Sequence, residues 1–189
     1  MKNTATEALL FGSGVTVLGA LRCLGPLGVH TRVVSEDPTL FRWSRWYRPA
    51  PPCAVENLEG YLESQPTRST VLIPCSDEWA RAVAAVPPEL KTRFPSSLSP
   101  PALLERFLDK GLFAQLLQEK GVPQPKTIVG QGVLEKGDLG AFRGFFIKPR
   151  DSQLFQERFG VKAFWPESEG ELLRDFRAVR EEGFEVLLQ

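Results

Sequence analysis

The sequence predicts an α/β protein, a parallel-sheet N-terminal part followed by a second, α+β part. Three observations carry this. Between Ala8 and Val34 an apolar strand, a glycine turn, a helix and a β-branched strand succeed one another, a βαβ unit that requires a parallel sheet. Ser99-Pro100-Pro101 then interrupts the periodic apolar pattern and marks a boundary, giving domains 1–99 and 100–189. Beyond it, helical spacing leads into Phe145-Phe-Ile-Lys-Pro149, a polar stretch from Arg150 to Gly160, and a second apolar run carrying Lys162. That reads as two strands joined by a long loop, with a lysine on each strand. Long polar loops between paired strands are often functional, and this one suggests a phosphate clamp.

In the first part, Ala8 to Phe11 is a buried strand and Gly12-Ser13-Gly14 the turn after it. Val15 to Leu27 has helical spacing, ended by Gly25-Pro26 and Gly28, and Val29 to Val34 is the next strand. Glycines let a backbone approach a phosphate, and a helix N-terminus favours an anion. The third glycine of a dinucleotide fingerprint would stand at position 17, which is Val17. A tight βα turn is therefore preferred. A nicotinamide-binding domain, with Glu36 or Asp37 on the ribose, remains an alternative. Glu56 to Glu63 forms a helix, Thr70 to Pro74 a strand and Trp79 to Val86 a helix capped by Ser76 or Asp77. Cys75 beside Asp77 and Glu78 is a poor nucleophile, because carboxylates raise its pKa, and is read as a core residue.

Composition removes several classes. Lys plus Arg equals Asp plus Glu, 23 each, so no global field steers the chain to nucleic acid or an anionic membrane. The Ser44-Arg-Trp-Tyr-Arg-Pro49 patch predicts arginines stacked on aromatics. The three cysteines Cys23, Cys53 and Cys75 form no Cys-x-x-Cys pair and His30 is the one histidine, which argues against zinc and against a Ser-His-Asp triad. The cysteines are read as reduced thiols, and a cytoplasmic protein is expected.

In the second part, Ser99 caps a helix with Pro100 near its start, and Ala102 to Leu108 supplies the apolar face. Asp109-Lys110 opens another helix, Gly111 to Lys120, with Leu112, Phe113, Leu116 and Leu117 at core spacing. Gly121-Val-Pro-Gln-Pro125 ends it and Lys126 to Val129 begins a strand. Leu134 to Phe142 is a short helix or loop, Ser168 to Glu182 a helix, and Phe184 to Leu188 a final strand.

Asp109-Lys110, Gly121-Val-Pro-x-Pro125 and Phe146-Ile-Lys-Pro149 with its loop follow the order of motifs in the ATP-grasp superfamily, which this chain resembles. Gly12-Ser-Gly14, Ser44-Arg45, Leu72-Ile-Pro74 and Ser76-Asp-Glu78 are similar to the pre-ATP-grasp domain of its carboxylate–amine ligase and carbamoyl-phosphate-synthase-like branch. Asp151-Ser152 and Phe159-Gly-Val-Lys-Ala163 look like that branch's phosphate-loop hairpin. The resemblance implies a pre-ATP-grasp domain followed by the first subdomain of the ATP-grasp module. It implies that Lys110 and Lys148 hold ATP phosphates, that Ser152 lies in the loop folding over the triphosphate, and that Lys162 matches a further position there. ATP with Mg²⁺ would be the cofactors and a small carboxylate and an amine or thiol the substrates, joined through an acyl-phosphate.

Two departures shape the expectations. The stretch Arg150 to Gly160 has Gly160 as its one glycine and carries Leu154, Phe155 and Phe159, which would pack down on a neighbouring surface; its Arg150 and Arg158 are balanced by Asp151 and Glu157. The sequence also stops inside an apparent strand, before the family's adenine hinge and magnesium ligands. It is therefore expected to be an N-terminal piece without metal ligands, inactive alone. A non-catalytic scaffold is the alternative, its last strand an open edge covered by self-association into a homo-oligomer.

Overall fold

The computed structural model describes residues 7–66, 69–130, 144, 146–150 and 152–189. Phe145, Asp151 and the 134–142 segment, expected as a short helix or loop, lie outside the described residues. The chain divides into two units, Met1–Leu104 and Glu105–Gln189.

The first unit is built on β1 (Glu7–Phe11), which pairs in parallel with β2 (His30–Val34) and β3 (Thr70–Pro74) in the order β2-β1-β3. The parallel pairing of β1 with β2 needs a crossover, supplied by α1 (Gly14–Leu24) and a 3₁₀ turn, Gly25–Leu27. Strand alternation sends Leu9 and Phe11 to one core and Leu10 to another. Leu10 meets Val17 and Leu21 of α1, with Val33 and Phe41. Leu9 and Phe11 meet α2 (Leu58–Glu63) and α3 (Asp77–Ala85), with the Phe11 and Trp79 rings 4.8 Å apart. Of the two candidate caps, Ser76 is the one used, its Oγ accepting from Trp79 N at 3.3 Å. Both outer strands are covered: Val33 exchanges backbone bonds with Arg48 and Ala50, and β3 donates to Arg93 and Pro95, the segment after α4 (Pro88–Lys91). The arginine stacking is present, Arg45 lying 4.4 Å from the Trp46 ring centroid.

The division between the units falls within α5 (Pro101–Leu108), and the second unit contains α6 (Lys110–Glu119), β4 (Ile128–Gly130), β5 (Ile147–Pro149), α7 (Ser152–Phe159), α8 (Glu169–Glu181) and β6 (Val186–Leu188). Its sheet is antiparallel with the order β4-β6-β5. The last strand, expected as an open edge, is thus the central one.

The expected loop after Lys148 is instead helix α7. Between Ser152 and Phe159 there is neither glycine nor proline to break a helix, and Phe155 and Phe159 stand one turn apart. Phe155 is fully buried, with Phe159, Phe164 and Phe184 rings 4.6, 5.3 and 5.5 Å away. Gly160, at φ +73°, takes the left-handed turn that ends the helix. The second strand of the expected hairpin shrinks to a single bridge, Ile147 to Phe164, and Lys162 lies exposed just before it.

Candidate functional site

The site lies within the second unit. β5 is short, and its alternation decides what Lys148 can do. Ile147 and Pro149 are buried, Ile147 in the core against α8, so Lys148 between them emerges on the opposite face. There it stands opposite Leu187 of β6. From α6, Lys110, Phe113, Ala114 and Leu117 present one stripe at helical spacing. Together with Gln124, Pro125, Leu187 and Gln189 these residues line a cavity of about 300 Å³. Phe113, expected in the core, is instead 37 % exposed and forms part of this wall.

Lys110 and Lys148, far apart in sequence, therefore meet at one cavity. Lys148 Nζ donates to Gln189 Oε1 at 2.8 Å and sits 4.6 Å from the Phe146 ring centroid. Lys110 Nζ donates to the Arg150 carbonyl at 3.2 Å and to Ser152 Oγ at 2.8 Å. Ser152 thus joins the pair, as the first residue of a helix and not within a flexible loop. Lys162 is not among the cavity-lining residues.

Sequence reasoning missed the groups that hold these lysines in place. Asp109 caps α6, accepting from Leu112 N at 2.9 Å, and binds Arg150. Burial pushes its carboxyl pKa up, but the Leu112 N–H and the Arg150 guanidinium outweigh this and hold it below the usual carboxylate range. Arg150 is held protonated more firmly than usual, first by Glu185 and then by Asp109. Both arginines of this stretch have partners outside it: Arg150 binds Asp109 and Glu185, and Arg158 binds Glu182. These contacts join residues distant in sequence, so only the fold reveals them. Cys75 does have a raised pKa, to about 11, but burial and not a carboxylate is the cause.

No protein-family model and no curated protein matches the sequence. Solved structures do. The chain superposes on an L-amino acid ligase from Bacillus licheniformis with TM-score 0.62 at 12% identity, covering 97% of this chain and 43% of that one. The N5-carboxyaminoimidazole ribonucleotide synthetase from Thermus thermophilus gives 0.61 at 18% identity, covering 96% and 46%. The Staphylococcus aureus N5-carboxyaminoimidazole synthetase complexed with ADP gives 0.61 at 13% identity, covering 97% and 47%. The likeness is one of fold: nearly the whole chain has the fold of part of these ligase and synthetase structures, and it spans less than half of their length. Among the described residues no helix is long and apolar enough to cross a membrane.

Proposed function

We propose that the second unit is one wall of an ATP site, and that the protein acts as part of an ATP-dependent carboxylate–amine or carboxylate–thiol ligase. The observation that supports this most is the convergence of Lys110 and Lys148 on one cavity. Lysine ammoniums are compact cations suited to phosphate oxygens, and two of them beside an apolar wall fit a nucleotide triphosphate. Ser152 adds a hydroxyl beside Lys110.

On this reading ATP supplies the phosphoryl group that activates a substrate carboxylate. The task of this chain is to hold and neutralise the phosphates. Lys148 approaches from strand β5 and Lys110 from the start of α6. Electrostatic stabilisation of the transferring group is the main protein contribution in such chemistry. Among the described residues no three His, Cys, Asp or Glu side chains gather to hold a metal, so magnesium is assigned to no residue here. Lys162, exposed just after α7, would be a further phosphate contact. Residues 1–99 and 100–189 would be the two domains of this ligase portion.

Calorimetric titration of ATP with magnesium into the purified chain tests it. Binding that falls at least about tenfold in Lys148→Ala and in Lys110→Ala is the expected result. ATP binding unaffected by both, or NADH binding abolished by Gly14→Arg, would overturn the reading.

A further inference from the structure

We infer that Arg150 is the positioning residue of the lysine pair: its guanidinium ties the start of α6 to the start of β6 and so sets where the Lys110 ammonium stands. Its part in phosphate binding rests on the reading above, whereas the tether rests on geometry alone.

Arg150 Nε and Nη2 reach Asp109 Oδ1 at 3.1 and 3.0 Å, and Nη2 lies 2.9 Å from Oδ2. Nη1 binds Glu185 Oε2. The Arg150 backbone is fixed too, its N–H donating to the Glu185 carbonyl at 3.0 Å. One residue therefore links Asp109, the cap of α6, to Glu185, which precedes β6. Its own carbonyl then receives Lys110 Nζ at 3.2 Å. The lysine next to the cap thus folds back onto the residue that grips the cap.

Gly111 records the tightness of this arrangement. A Cβ at Gly111 would lie 3.1 Å from Arg150 Nε, 3.2 Å from Nη2 and 3.1 Å from Asp109 Oδ1. The position after Lys110 leaves little room for a side chain, because the guanidinium passes over it. A planar five-donor fork can serve Asp109 and Glu185 together, which a lysine's single ammonium does poorly. The side chains of Arg150 and Asp109 are each 25% exposed. Beyond any contribution to stability, the tether acts on where Lys110 stands.

Trace acetylation of the full chain with acetic anhydride, read lysine by lysine by mass spectrometry, tests this, with exposed Lys162 as internal reference. In the wild type Lys110 labels more slowly than Lys162. Arg150→Gln raises Lys110 labelling roughly tenfold, while Arg150→Lys restores part of the protection. Unchanged Lys110 labelling in a folded Arg150→Gln protein overturns the inference. Should that variant not fold, Asp109→Asn and Glu185→Gln each cut one end of the tether, and unchanged Lys110 labelling in both overturns it equally. Titrating ATP with magnesium into wild type, Lys148→Ala and Arg150→Gln separates the two proposals. Affinity lost in Lys148→Ala, with labelling unmoved in Arg150→Gln, overturns the tether and leaves the phosphate reading standing. Labelling raised in Arg150→Gln, with no ATP affinity in the wild type, supports the tether and overturns the phosphate reading.

Discussion

Lys148 and Gln189 meet across neighbouring strands: the ammonium donates to Gln189 Oε1 at 2.8 Å, while Gln189 Nε2 donates to Thr127 Oγ1 at 3.0 Å. One amide thus joins the ends of β4, β5 and β6 at the cavity. The acceptor is neutral. Lys148 is therefore oriented by a partner that carries no charge, a balance that a carboxylate at the same place would upset.

Replacing the amide by a carboxylate tests that balance. Gln189→Glu would pair with Lys148 at close range and compete with phosphate oxygens for it. ATP affinity is expected to fall about tenfold, with the loss shrinking as salt screens the new charge. Titration at two ionic strengths checks this, and a Gln189→Glu protein that binds ATP as tightly as the wild type would refute the role given to Lys148.

Phe155 anchors α7 among Phe159, Phe164 and Phe184 and is fully buried. Phe155→Ala leaves a cavity in that cluster and should cost about 3–5 kcal/mol. Exposed Glu157→Ala, on the same helix, should stay within about 0.5 kcal/mol. Urea unfolding of the two variants gives the comparison, and equal losses would mean that α7 is not held by its aromatic face.

The acid limb of stability should depend on Asp109. Its folded pKa is depressed, so its contribution is fully present above the ordinary carboxylate pKa and is lost as pH falls through the lower folded value. The wild type is thus expected to lose stability below about pH 4, where the unfolded chain takes up a proton that the folded Asp109 still resists. Asp109→Asn begins less stable and should show a shallower decline over the same range. Thermal unfolding between neutral and acid pH reads the slopes, and parallel curves would exclude Asp109 as a contributor.

Much of this was legible in the residues, for identifiable reasons. Ala8 to Val34 declared its elements because apolar periodicity switches cleanly from strand to helix and back, with glycines at the joints. Lys148 stood out because a cation between an apolar strand and a proline has few structural uses. The stretch after it misled: its polar residues suggested a loop, although Phe155 and Phe159 already had helical spacing. The ties of Arg150 to Asp109 and Glu185 and of Lys148 to Gln189 were not legible, since each joins residues 35 or more positions apart. The central place of β6 was hidden for the same reason, because strand order is a property of the fold and not of any local pattern.

Gly25 provides a test of packing in the first unit. Its φ is −59°, open to any residue, so backbone freedom does not account for it. The Trp46 ring does: a Cβ at Gly25 would lie 2.2 Å from Cγ, 2.3 Å from Cδ1 and 2.6 Å from Cδ2. Helix propensity alone would favour Gly25→Ala by up to about 1 kcal/mol. The clash opposes that gain, and overpacking of this kind costs about 1–3 kcal/mol, so the net effect should be destabilising. In a Trp46→Ala background the ring is gone, and Gly25→Ala should become neutral or stabilising. A double-mutant cycle by chemical denaturation measures the reversal of sign. If Gly25→Ala costs the same with and without the tryptophan, the close approach of Trp46 to this turn is wrong.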